Sequence, residues 1–92
     1  MIKSFRHRGL KQFYERGTTR YLKADQVSKI RRILGLLESA SQPQSLDLPG
    51  VGLHALKGDL KGFWSLSVSG NWRMIFRFEN GNAYNLDLVD YH

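Results

Sequence analysis

Cysteine is absent from this 92-residue sequence. That removes disulfides and thiolate metal sites together, and small secreted domains usually depend on the former. No apolar run approaches the ~20 residues of a membrane span. Residues 1–10 hold no signal-peptide core. The expected location is therefore cytoplasmic, with no membrane partner. No repeat, linker or low-complexity tract divides the chain, so residues 1–92 are expected to form a single domain. Its three histidines lie far apart, with no pair at helical spacing and no carboxylate pattern around them, so neither a metal nor another cofactor is expected. There is no phosphate-cradling glycine loop and no nucleophile elbow.

Acidic residues are also in short supply. Eight stand against fourteen Lys and Arg, a net charge of +6. Such a balance favours polyanions through phosphate contacts and counterion release, and an acidic protein could use the same surface. Ten of the fourteen basic residues fall between Lys3 and Arg32. Lys57, Lys61, Arg73 and Arg77 follow among predicted strands.

Hydrophobic residues make up 41%, and their spacing changes midway. Residues 2–5 read as a short apolar start at a sheet edge. Residues 7–16 place Leu10, Phe13 and Tyr14 on one helical face, with His7 on the helix surface and Gly17 as a stop. Asp25 suits an N-cap. After it Val27, Ile30, Ile33, Leu34 and Leu37 repeat at three and four residues, an amphipathic helix of about four turns. Residues 41–51 are polar, contain Pro43 and Pro49, and read as a loop.

From Leu53 onward the period is two. Trp64, Leu66 and Val68 alternate with serines. Trp72, Met74, Phe76 and Phe78 follow, then Tyr84, Leu86 and Leu88. Gly70-Asn71 and Asn80-Gly81 mark the turns. A two-residue loop at Asn80-Gly81 would oppose Phe76 to Asn85. A three-residue loop instead pairs Phe76 with Tyr84, Met74 with Leu86 and Trp72 with Leu88. The same loop length at residues 69–71 pairs Val68 with Trp72, Leu66 with Met74 and Trp64 with Phe76. One face is then apolar and the other carries Ser65, Ser67, Arg73, Arg77, Asp87 and Tyr91. The expected architecture is α+β: two N-terminal helices packed on one face of a small antiparallel sheet.

An open face of Arg, Ser and Tyr suits single-stranded nucleic acid, since arginine forks grip phosphate and aromatic rings stack on bases. A plainly solvated face is the competing interpretation. The sequence closes on Val89-Asp90-Tyr91-His92, directly after the last strand. Imidazole ordinarily titrates near pH 6.5, which fits His92 for acid–base work. Asp90 could orient that ring, and Tyr91 could donate or stack. His54, after a glycine-rich bend, is the second candidate, with Lys57 three residues on. A histidine beside apolar residues is also often simply packed.

These residues sit in a pattern that resembles the HigB toxins of the RelE-like fold group. The likeness runs through Met1-Ile2-Lys3-Ser4-Phe5, His54-x-Leu56-Lys57-Gly58-Asp59, Gly62-Phe63-Trp64-Ser65, Asn71-Trp72-Arg73 and Asp90-Tyr91-His92. The resemblance implies a ribosome-dependent messenger RNA endonuclease acting in the decoding site. It implies a HigA-like helix-turn-helix antitoxin, and operator DNA bound only through the toxin–antitoxin complex. It assigns cleavage to His54, Asp90, Tyr91 and His92, and places Lys57, Asn71 and Arg73 near the RNA. His54 and His92 would share the acid and base roles, in an order the sequence leaves open. Two rivals remain: a ParE-like protein that poisons gyrase by binding alone, and a plain RNA- or DNA-binding module.

Overall fold

In the computed structural model, which describes residues 1–90, two helices precede four strands. Helix α1 (Arg8–Arg16) and helix α2 (Val27–Ser39) lead into β1 (His54–Ala55), β2 (Phe63–Ser69), β3 (Trp72–Glu79) and β4 (Asn82–Asp90). The strands form one antiparallel sheet in the order β1-β2-β3-β4. The α+β architecture expected from the change of period is present.

Each helix starts differently from its sequence pattern. His7 is the N-cap of α1 rather than a surface helical residue, and its Nδ1 accepts the Leu10 N–H at 3.1 Å. Gly17 ends that helix in the left-handed region, its N–H donating to the Phe13 carbonyl. Asp25 does not cap α2. It lies in a 3-10 turn, Ala24–Gln26, and the capping position falls to Gln26. The reason is tertiary: Gln26 is buried, and its Nε2 donates to Ser69 Oγ at 3.0 Å. Ile30, Ile33, Leu34 and Leu37 form the buried stripe of α2, as their spacing requires. That stripe packs on β2 and β4, and α1 packs on β4.

Leu66, Met74, Phe76 and Leu86 meet the helices and are closed to solvent. The loop over residues 41–51 is less external than its polarity suggests. It contains a 3-10 turn, Pro43–Leu46, and sends Leu46 and Val51 into the core. Residues 2–5 do lie at the sheet edge, but in parallel, with Ile2 bridging to Ala83 and Phe5 to Leu86 of β4.

The register departs from expectation at both turns. At the first, Ser69 pairs with Trp72 and Val68 is left over as a bulge, so Val68 does not face Trp72. Beyond it, Leu66–Met74 and Trp64–Phe76 pair as expected. At the second, Asn80 (φ 50°) and Gly81 (φ 79°) are both left-handed, as a two-residue type I′ loop demands. Phe78 therefore pairs with Ala83, Arg77 with Tyr84, Met74 with Leu88 and Trp72 with Asp90. The three-residue loop and its pairs are overturned. The clash of Phe76 with Asn85 that argued for them is absorbed by a bulge between Arg77 and Ile75. Asn85 there takes φ 58°, a conformation asparagine tolerates better than most residues. Its N–H donates to Ser4 Oγ at 2.9 Å, which anchors the bulge to the N-terminal segment.

Candidate active site on the face away from the helices

Opposed residues of antiparallel strands share a face, so the register sorts the outer face into rows. One row runs His54, Ser65, Ile75, Asp87. A second runs Ser67, Arg73, Val89, and a third Phe63, Arg77, Tyr84. Tyr84 thus belongs to this face and not to the apolar one.

His54 reaches its row through a tight bend. Gly52 has φ 58°, where a side chain is strained, and a Cβ there would stand 2.8 Å from Ser67 Oγ and push that hydroxyl aside. The Ser67 N–H donates to the Val51 carbonyl at 2.8 Å. This contact leads the chain onto the edge of β2, where His54 opposes Ser65.

His54, Leu56, Ser65 and Arg73 line one cleft of about 300 Å³. Ser65 forms its floor and is 1% exposed. Arg73 Nη1 lies 3.5 Å from Ser65 Oγ, a long bond, and among the described residues most of the guanidinium donors are uncommitted. Among the described residues no carboxylate lies within ion-pair distance of Arg73. The cleft therefore offers an exposed imidazole, a hydroxyl and a cation at one place. Those groups suit proton transfer next to a phosphate.

The other predicted residues among those described stand at the two ends of the sheet, outside the cleft, with Asp90 on the helix side by its pairing with Trp72. Asn71 is exposed in the β2–β3 turn, and Asp90 at the end of β4 opposes Trp72, so these two mark one end of the sheet. Lys23 sits 4.7 Å over the Trp72 ring at that end. Lys57 lies at the other end, because its neighbour Leu56 donates an N–H to the Phe63 carbonyl. The length of β2 separates Asn71 from Lys57, roughly 20 Å at the usual rise per strand residue. Tyr91 and His92 lie outside the described residues.

From the sequence, Ser65 belongs to the open polar face without a catalytic role, and Tyr84 falls on the apolar face. The Asn80-Gly81 signal, taken at face value, would have placed Tyr84. Phe63 is buried on this face beneath Arg6 and Arg77, which no alternation in the sequence signals. A second depression of about 340 Å³ lies between residues 2–5 and α1, and it gathers none of the candidate residues. Among the described residues no group of three His, Cys, Asp or Glu side chains is placed to hold a metal. Nor is any helix there long and apolar enough to cross a membrane.

A family model described as the RelE-like toxin of type II toxin–antitoxin system HigB matches residues 3–92. The chain belongs to this family. Membership in the HigB-like toxins brings an antitoxin as partner. The chain is 45% identical to the Endoribonuclease HigB of Proteus vulgaris over 92 residues, all of both proteins. It is 32% identical to Toxin HigB-1 of Vibrio cholerae over 87 residues, 92% of each. A YafQ mutant from E. coli superposes with a TM-score of 0.63 at 19% identity, over 98% of this chain and 91% of that one. The YoeB dimer structure from Staphylococcus aureus gives 0.58 at 19%, over 99% and 94%. These two solved structures share the fold of the HigB-like chain.

Proposed function

We propose that this HigB-like toxin is an endoribonuclease that cuts messenger RNA in the ribosomal decoding site, with the 1–92 domain acting as one unit in the cytoplasm. The observation that carries the reading is the cleft where His54 stands beside Ser65 and Arg73. The endoribonuclease named among its relatives supports it.

In this scheme the ribose 2′-hydroxyl attacks its own 3′-phosphate. A new bond forms from the 2′-oxygen to phosphorus, and the bond from phosphorus to the 5′-oxygen breaks. A base takes the 2′-proton and an acid protonates the departing 5′-oxygen, leaving a cyclic phosphate and a 5′-hydroxyl. His54 and His92 share these two roles, each worth ~10²–10⁴-fold in rate. Arg73 offsets the charge that grows on the phosphorane oxygens. Asp90 orients His92, and Tyr91 stacks on or positions a base. Asn71 and Lys57 hold the message at either end of the face. The imidazoles and cations provide the acid, the base and the charge, so the scheme calls on no metal or other cofactor.

The antitoxin in this reading is a HigA-like helix-turn-helix protein, and operator DNA is bound through their complex. Induced expression with mapping of transcript ends tests the function. Wild type should produce new ends inside translated codons, and His92→Ala should not. Growth inhibition without any new ends would refute the reading and point to a binding-only poison.

A further inference from the structure

The outer face carries a cationic feature that the cleavage scheme leaves unused. Phe63 faces away from the helices yet is only 9% exposed. Two guanidiniums lie over its ring, Arg6 at 5.8 Å and Arg77 at 5.7 Å from the centroid. They come from distant parts of the chain, Arg77 from β3 and Arg6 from the segment that follows the edge of β4. The ring quadrupole attracts each cation, but two like charges on one ring also repel each other. Arg77 has Glu79 at 3.4 Å, across side chains that are 43% and 57% exposed. Arg6 has no carboxylate at ion-pair distance among the described residues.

An anion held by both would offset that repulsion, and a phosphodiester matches the guanidinium fork in shape as well as charge. Tyr84 opposes Arg77 on β4 and offers a ring for a base. The position points to the source of the phosphate. The Phe63–Arg77–Tyr84 row is two residues along the strands from the His54–Ser65 row. That is roughly 7 Å, about the length of one nucleotide step. Lys57 lies at the same end of the sheet.

We propose that Arg6 and Arg77, carried on the Phe63 ring, form a second phosphate-binding subsite for the RNA, one nucleotide step from the bond that is cut. The proposal rests on the endoribonuclease reading. The structural alternative is that Arg6 only ties the N-terminal segment to the sheet. Arg6→Met and Arg77→Met keep an aliphatic cover on Phe63 and remove the charge. The double variant should melt close to wild type and, on ribosomes programmed with message, show KM raised about tenfold, with kcat within about threefold. The single variants should each show the same direction of change, and they provide the test if the double variant does not fold.

The decisive probe is a message with one neutral methylphosphonate linkage next to the cleavage site, on either side in turn. At one of the two positions the neutral linkage should raise the wild-type KM by a similar factor. The Met variants should be indifferent to it there. Equal KM for wild type and variants on native message, or equal sensitivity to both neutral linkages, would overturn the subsite. A wild-type protein that cuts no message would instead refute the endoribonuclease reading itself.

Discussion

On the helix side of the sheet, Leu66, Met74, Phe76 and Leu86 are closed to solvent by Ile30, Ile33 and Leu37. On the opposite side Phe63, Ser65 and Ile75 are nearly as closed, yet the helices pack elsewhere. Long cationic side chains lie over part of that floor: Arg6 and Arg77 over Phe63, and Arg73 beside Ser65. A helix cover is apolar and close-packed, so it fixes the fold. An arginine cover keeps its charge in water while its stem shields apolar surface. It can turn toward a phosphate at small cost. The contrast separates a face that holds the molecule together from one free to engage RNA.

Substitutions on the two faces should therefore fail in different ways. The largest effect is expected at Phe76, which is fully buried on the helix side. Phe76→Ala should cost about 3–5 kcal/mol, read as a collapse of the urea midpoint. Trp72, on the same face but only half-buried and flanked by Lys23, should lose roughly half that. Equal losses at the two positions would show that the core extends to the end of the sheet.

On the outer face, Arg73→Ala should lower message cleavage about 10²–10³-fold, the usual consequence of removing one group that stabilises developing charge. Its melting temperature should stay near wild type, since among the described residues the Arg73 side chain makes one long hydrogen bond. Lost cleavage accompanied by lost stability would erase the distinction between the faces.

Much of the helix side was legible in the sequence, because burial imposes a period on it. The stripe of α2 and the alternation of Trp64, Leu66, Met74 and Phe76 follow directly from that rule. The register of β4 was not legible from alternation, because Asn85 is an inserted residue whose place depends on Ser4, distant in the chain. Pairing arguments assume unbroken strands, and here the local Asn80-Gly81 signal was the better guide. The candidate cleft was half legible. His54 and Arg73 could be named as chemistry, but their meeting depends on β1, a strand too short to leave a pattern. The approach of Arg6 to Phe63 left no signal at all, since it joins residues far apart in sequence.

Two smaller effects sharpen these points. Asn85→Val forces a β-branched residue into the left-handed region and should cost about 1–2 kcal/mol, while Asn85→Gly should cost less. A stability that ignores both would contradict the bulge. Tyr14 donates its hydroxyl to Glu38, and that bond, with desolvation and the carboxylate charge, holds the hydroxyl above the usual tyrosine range. A raised value in the folded state means that the contribution is complete below the unfolded value of about 10 and fades as pH climbs through the folded one. Tyr14→Phe should cost under about 1 kcal/mol at pH 7. The gap between variant and wild type should close in denaturation curves above pH 10.

The most direct test of the account is single-turnover cleavage of a defined message on programmed ribosomes by wild type and His54→Ala, with melting curves for both. Equal melting temperatures are expected, with a loss of rate of about 10²-fold or more for His54→Ala. Wild-type cleavage by a well-folded His54→Ala protein would contradict the account and move the chemistry out of the His54–Ser65–Arg73 cleft.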